Sequence, residues 1–428
     1  MSLSNTEERH LSVKGHRDFS VLWAGRAVNQ FGSAIGMVAL PMLAVSMLGA
    51  SVFEVSILAA ITTLTVLLAS FPTGLYVEFR RKRPIMIGAE LTRSVFLAAV
   101  AVLGLFGVLE YWHLCLVAFA GGMCLILYQA AAQPHIKALV RPERLADAQG
   151  KLESTNWLSI SVGPTLGGLL LGVFGVLFGY AVHAVSFVFS AVATWRLRTP
   201  EPPPPARGAT ERKRDELLAG LRFVAGHRML RKVIISWIVF AGASAMASPV
   251  AVVFYLRDLE FDAVQFGLIM GIPSLGGFLG ARLARVVAQR FGAIRGLWIA
   301  SMLRTPWYFL IPLAVPGYSG VLVAGLGFGG LLLFAGMANS VMSTYRQLAT
   351  PDHLLTRVAT LWSFATTSLQ PAFIVIGGVV ATMIGARATL CVAAVLMGSA
   401  VIFLPRRDLA VTGTPTALGG VRGGVSPL

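Results

Sequence analysis

Glu90 and Arg93 stand three residues apart in a long apolar stretch, a spacing that puts both on one face of a helix. A carboxylate kept from water can take up a proton and later release it, and an arginine beside it can steer that exchange. The same two residues could also form a permanent pair that merely fixes the helix. Arg26 and Arg304 also fall inside apolar runs, and Arg346 lies near the end of another. Charges in such places are costly and mark either function or pairing. Of these, Glu90 is the acid best placed to carry a proton, with Arg93, Arg26 and Arg304 as further candidates for coupling. His183, His135, Tyr128, Gln129 and Gln133 are weaker alternatives; His183 reads more readily as a hydrogen-bonded packing residue. Asn29, Gln30, Tyr128, Gln129, Trp157, Asn339, Trp362 and Gln370 could supply the few polar groups of a mostly apolar cavity.

The elements that must hold these side chains are membrane spans. Charged residues make up 13 % of the 428-residue chain, hydrophobic residues 56 %, and mean hydropathy is +0.75. A soluble domain carries about 25 % charged residues, so a water-soluble enzyme and a disordered chain are both excluded. Apolar runs bounded by charge predict spans at 19–46, 53–77, 84–107, 111–133, 152–173 and 177–195. A second set follows at 233–256, 264–289, 294–315, 319–344, 358–383 and 387–404. Basic residues collect in alternate loops, including Arg80 to Arg83, Lys137 to Lys151 and the stretch 196–232. The opposite loops carry Glu54, Glu110, Asp258, Glu260 and Asp262. The positive-inside rule then places both termini in the cytoplasm. It also accounts for most of the net charge of +16, so nucleic-acid binding is not implied.

The first twenty residues contain His10, Lys14, Arg17 and Asp18 and no apolar core, so no leader peptide is expected. Cys115, Cys124 and Cys391 stand alone in apolar context and suggest neither a disulfide framework nor a metal site. There is no phosphate-binding glycine loop for ATP and no HExxH, GxSxG or clustered carboxylates, so no enzyme and no cofactor are expected.

The chain divides into 1–195, a linker at 196–232, 233–405 and a tail at 406–428. The linker opens with a proline run, continues with an amphipathic stretch at 211–228, and the tail reads as disordered. The two halves share an internal repeat. Pro142 and Pro351 are 209 positions apart, Gly168 and Gly377 share that offset, and Arg93 and Arg304 are 211 apart. A six-plus-six plan suits a carrier that rocks two bundles around a midplane site.

Three motifs carry a family resemblance. The second-to-third loop has Gly74, Glu78 four residues later, then Arg80-Arg81-Lys82-Arg83. It resembles the loop signature of the major facilitator superfamily, with glutamate where aspartate is usual and Arg81 where a glycine is usual. The resemblance implies that Gly74, Glu78, Lys82 and Arg83 take part in gating. The matching second-half loop, Gly280 to Gly292, keeps Arg285 and Arg290 but has no acid. The fifth span has Gly150, Ser159, Gly163-Pro164 and Gly167-Gly168. It is similar to the pattern of the drug–proton antiporter branch, with Ser159 in place of a glycine, and implies a hinge at the interface between halves and export. The opening Arg17-Asp18-Phe19, Trp23, Gly25-Arg26 and Gln30-Phe31-Gly32-Ser33 resembles bacterial exporters related to enterobactin and macrolide efflux carriers. The acid those relatives often carry in this first span is missing.

The resemblance therefore implies an all-α membrane protein of the major facilitator fold, with 12 transmembrane helices in two six-helix bundles related by a pseudo-twofold axis. It implies a monomer in the bacterial inner membrane, surrounded by lipid. Its task would be proton-driven export of a small amphipathic compound; an importer or lipid flippase of the same fold is the alternative.

Overall fold

The computed structural model describes residues 3–201, 203, 221–351 and 354–404. The described chain is all helical. In order the helices are α1 (Leu3–Met42), α2 (Val52–Glu78), α3 (Lys82–Leu105), α4 (Tyr111–Leu139), α5 (Leu145–Phe174), α6 (Val176–Trp195) and α7 (Arg228–Val253). They continue with α8 (Ala263–Gly271), α9 (Ser274–Phe291), α10 (Ala293–Tyr308), α11 (Tyr318–Ala349), α12 (Leu355–Ser368), α13 (Gln370–Ile384) and α14 (Ala386–Ser399). Among the described residues, eleven segments are long and apolar enough to cross a membrane, so this is a multi-span membrane protein.

The expected spans recur with three differences. The span expected at 264–289 is divided into α8 and α9, because Pro273 has no backbone N–H and restrains Ile272 before it. The span expected at 358–383 is divided into α12 and α13 at Leu369, just before Gln370 and Pro371. The span expected at 294–315 is a 16-residue helix, α10, followed by a 3-10 turn at Ile311–Leu313. Sixteen residues rise about 24 Å, short of the roughly 30 Å hydrocarbon core. The amphipathic stretch at 211–228 falls largely, and the tail at 406–428 wholly, outside the described residues.

Local chemistry sets the helix ends. α1 closes in a π-helical turn, Leu43–Met47, and Ser51 and Glu54 form a reciprocal cap at the start of α2. The same succession follows α7: a π-helical turn at Phe254–Asp258, then Asp262 and Gln265 capping α8. Gly175 and Gly385, both at φ +84°, turn the chain abruptly between α5 and α6 and between α13 and α14. That backbone conformation strains any residue with a Cβ.

In the first half α1 packs on α5 and α6, α3 on α4 and α6, and α2 on α4. In the second, α7 packs on α13 and α14, and α11 on α9 and α10. Between the halves, α5 lies against α8 and α2 against α13. These cross-contacts gather toward the end that carries the 47–52 and 258–263 connections. Ser274 Oγ donates to Ser161 Oγ at 2.8 Å, and Thr165 Oγ1 donates to the Gly267 carbonyl at 3.3 Å. The helices approach this closely because glycines face each other. A Cβ on Gly267 would sit 2.9 Å from Gly168 Cα and 2.5 Å from the Pro164 carbonyl oxygen. At the same end Arg257 donates to the carbonyls of Gly49 (3.2 Å) and Ala50 (2.8 Å).

The geometry of this seal predicts a cross-link. With Cys115, Cys124 and Cys391 replaced, Ser161→Cys and Ser274→Cys together should form a disulfide on mild oxidation, visible as a mobility shift reversed by reductant. Absence of the bond in folded protein would show that α5 and the start of α9 do not meet in this register.

Candidate functional site: a polar cluster in the first half

Glu90 projects from α3 into the first half and is 1 % exposed. Its Oε1 accepts hydrogen bonds from Asn29 Nδ2 of α1 (3.1 Å) and from Ser190 Oγ of α6. Ser33 Oγ donates to Asn29 Oδ1 at 3.1 Å, which fixes the amide so that its nitrogen points at the carboxyl. Glu90 Oε2 is buried and has no hydrogen-bond partner. Arg26 lies with its guanidinium carbon 5.9 Å from the ring centre of Tyr128 on α4; Arg26 Nη1 and the Tyr128 hydroxyl are likewise buried and unpartnered.

Arg93 does not close a pair with Glu90. Its guanidinium lies over the ring of Phe187 on α6, 4.2 Å from the centroid, a cation–π contact strengthened by exclusion of water. The permanent-pair alternative is thus not the arrangement seen: helical spacing allows the contact, but the aromatic face takes the arginine. The structure brings together Glu90, Arg93, Arg26, Asn29 and Tyr128 from three helices. Arg304 belongs to a separate place in the second half. It is 1 % exposed, lies 3.6 Å from the ring centroid of Phe240, and its Nε has no partner.

The remaining expected cavity residues are dispersed. Gln30 Nε2 donates to Asn156 Oδ1 at 3.2 Å, and Gln370 Nε2 to the Thr366 carbonyl at 3.2 Å. Gln129, Trp157 and Asn339 are exposed, whereas Trp362 is buried with Arg346 5.0 Å from its ring centroid. Of the fifth-span residues, Gly163 and Gly167 face α1 at Ala34 and Ile35, and Gly168 faces α8. Gly150 has open space around it, and Ser159 Oγ donates to the Asn156 carbonyl at 2.8 Å. α5 continues as one helix through Pro164.

The basic loop is held from the linker. The N-terminus of α3 is capped by Glu201, whose carboxylate accepts from the backbone N–H groups of Lys82 and Arg83 (3.2 Å for the latter). Arg83 Nε donates to the Thr194 carbonyl at 2.9 Å, and its Nη2 reaches the carbonyls of Trp195 and Leu197 at the end of α6. Lys82 Nζ donates to the carbonyls of Glu78 (2.9 Å) and Arg80 (2.7 Å). Gly74 has open space around it. Asp18 on α1 completes the clamp. Its Oδ2 accepts from Arg198 N (2.8 Å), Thr199 N (2.6 Å) and Thr199 Oγ1 (2.7 Å).

Volume does not single out this cluster. Two larger grooves, about 670 and 530 Å³, are apolar and lie between α2 and α4 and among α8 to α11. Phe119, Met123 and Leu127 line the first, on the face of α4 opposite Gly121 and Leu125. Acyl chains suit such surfaces.

The family described as transmembrane secretion effector matches residues 11–415. The chain belongs to that family. It is a secondary-active transporter of the major facilitator fold, a multi-pass protein of the bacterial inner membrane, and not an enzyme. The transporter is 27 % identical over 413 residues to the multidrug efflux pump Tap of Mycolicibacterium fortuitum, covering 93 % of this chain and 97 % of Tap. It is 24 % identical over 356 residues to the enterobactin exporter EntS of Escherichia coli O81 (strain ED1a), covering 82 % of each. Among solved structures, a variant of the nucleoside transporter NupG superposes with TM-score 0.72 at 11 % identity, over 90 % of this chain and 98 % of that one. A bacterial homologue of the iron transporter ferroportin, in an inward-facing state, superposes with TM-score 0.70 at 14 % identity, over 90 % and 98 %.

Ser190 and Glu201 of the transporter were not expected at these sites. A signal existed for the first: His183, Phe187 and Ser190 fall at helical spacing on one face of α6. Glu201 stands inside the proline-rich linker opening, between Pro200 and Pro202, where sequence gives no direction. The clamp yields a stability prediction. Asp18→Ala should lower unfolding stability by roughly 2 kcal/mol, the cost of stranding donors that bonded a charged group. A thermal or denaturant unfolding midpoint equal to that of the unaltered protein would refute it.

Proposed function

We propose that the protein is a proton-driven exporter of a small amphipathic compound, working by alternating access between two six-span bundles. The bundles are 1–195 and 233–405, with 196–232 as cytoplasmic linker and 406–428 as cytoplasmic tail. α10 with its following turn serves as the ninth of 12 spans. Support for the pseudo-twofold plan comes from the recurring neighbours, in which α1 on α5 and α6 corresponds to α7 on α13 and α14. The repeated π-helical turns, caps and positive-φ glycines support it too. Basic residues near the clamp and acids at the opposite end favour cytoplasmic termini, so the seal at α5–α8 and α2–α13 is the outer one. The protein then rests open to the cytoplasm, the state from which an exporter loads. Export as the direction draws support from the family and from relatives described as an efflux pump and an exporter.

The observation that carries proton coupling is Glu90: a buried carboxyl with one oxygen bonded twice and the other free. The free oxygen is where a proton adds or leaves, and Arg26, Arg93 and Arg304 set the field around the pathway. Gly74, Glu78, Lys82 and Arg83 act at the cytoplasmic gate. Ser159, Gly163, Pro164, Gly167 and Gly168 keep α5 slim enough to slide, with Gly150 at its cytoplasmic end. Asn29, Gln30 and Tyr128 border the proton site. Gln129, Trp157, Asn339, Trp362 and Gln370 supply polar contacts along the cargo path. The unit is a single chain in lipid.

The test uses inside-out vesicles from an efflux-deficient host, energised by respiration, with a panel of fluorescent amphipathic dyes. Energised dye uptake that collapses with an uncoupler is expected, and Glu90→Gln should abolish it at normal protein level. Uncoupler-sensitive transport that persists in Glu90→Gln removes Glu90 from coupling. Dye movement that ignores the uncoupler removes proton drive altogether.

A further inference from the structure

We infer that the small cavity beside Arg93 is an anion site, and that the exported compound docks there through a carboxylate or comparable acidic oxygen on an aromatic body. This rests on the transporter reading above and adds the charge of the cargo. The cavity, about 160 Å³, lies among α1, α2, α3, α4 and α6, and its polar lining is Arg93, Tyr180, His183 and Thr62, the last with its hydroxyl already donating to the Leu58 carbonyl at 3.2 Å. Tyr180 is 2 % exposed and its hydroxyl has no partner; His183 is 8 % exposed and its Nε2 has no partner. The Arg93 guanidinium rests on the Phe187 ring, and among the described residues no acceptor bonds it. Buried polar atoms without partners are uncommon and costly. Here three side chains able to donate border one space. A group presenting two acceptor oxygens satisfies them together, and a guanidinium favours a planar carboxylate.

The charge balance points the same way. Arg26, Arg93 and Arg304 lie well inside the spans, against one carboxyl, Glu90. None of the three arginines is in an ion pair among the described residues. A cationic cargo meets net repulsion in this interior, and a neutral one leaves the excess charge uncompensated. An anion offsets part of the cost of keeping guanidinium groups away from water.

Shape adds the body that carries the anion. Phe96, Leu97 and Leu125 supply apolar walls, and a cavity of about 150 Å³ lined by such residues admits a benzene ring. Gly36 keeps α1 bare at this level, where a Cβ would run into the His183 ring.

The test is ligand-dependent thermal unfolding of the purified full-length protein. The probes are benzoate, salicylate, benzylammonium, benzyl alcohol and sodium chloride, with parallel dye-transport assays in proteoliposomes under a proton gradient. Benzoate and salicylate should raise the unfolding temperature, whereas benzylammonium and benzyl alcohol should not. Arg93→Gln should weaken the anion response about tenfold or more, the loss of one charge-assisted contact, and Arg93→Lys should retain part of it. Tyr180→Phe, which keeps the ring, should reduce the response and serves if Arg93→Gln does not fold. Equal responses to anion, cation and neutral probe overturn the site, as do no response to the anions or a response unchanged in both Arg93→Gln and Tyr180→Phe. A shift with chloride equal to that with benzoate overturns the aromatic cargo and leaves an inorganic-anion site. An anion response without dye transport counts against the exporter reading alone; dye transport without an anion response counts against the site alone.

Discussion

A charged or hydrogen-bonding group inside a bilayer has no water to fall back on, so the protein must provide each partner itself. Translocon measurements put a central charge at roughly 2.5–3.5 kcal/mol, and this chain keeps several. The structure meets that constraint by two means. Glu90 Oε1 is held by an amide and a hydroxyl from neighbouring helices, and Arg93 and Arg304 are laid on aromatic faces. Neither solution neutralises the charge. That leaves a positively biased interior with no closed ion pair among the described residues. The helices α1, α3, α4 and α6 meet around Glu90 because each contributes a polar group there.

The two ends of the molecule are built on different principles. At the end of the termini, long polar side chains reach backbone groups. Asp18 and Glu201 accept N–H groups of the 198–199 segment and of α3, and Arg83 gathers the last carbonyls of α6. These contacts all lie within the first half, so they tie the start of the linker to that half. At the opposite end the halves themselves meet, through bare backbone at Gly168 and Gly267 and hydroxyls at Ser161 and Ser274. Small residues allow close packing without fixing the helices by ion pairs, which suits surfaces that must part.

Much of the span layout was legible because hydropathy is a local property. The breaks in α8–α9 and α12–α13 were not drawn, although Pro273 and Pro371 stand beside them. A proline within an apolar run can bend, break or be absorbed, as Pro164 is in α5, and the outcome depends on neighbours. Glu90 and Arg93 were legible as unusual residues, but their partners were not. Ser190 lies 100 positions from Glu90, and the capture of Arg93 by Phe187 is a tertiary competition that helical spacing cannot rank. Gly168 was legible as a point of close approach, whereas only the fold shows that it meets α8 while Gly163 and Gly167 meet α1.

The clasp made by Arg257 has a further consequence. Its acceptors are the main-chain carbonyls of Gly49 and Ala50, with Gly49 at φ +63°. A carbonyl is present whatever the side chain, so the contact itself does not depend on side-chain identity; position 49 is restricted by its backbone and position 50 by burial, Ala50 being 3 % exposed. The bond is also charge to dipole and not charge to charge. Counter-ions screen opposed charges far more than they weaken a directed hydrogen bond to a carbonyl. The clasp between the halves at this end therefore holds through main-chain geometry, with little dependence on ionic strength.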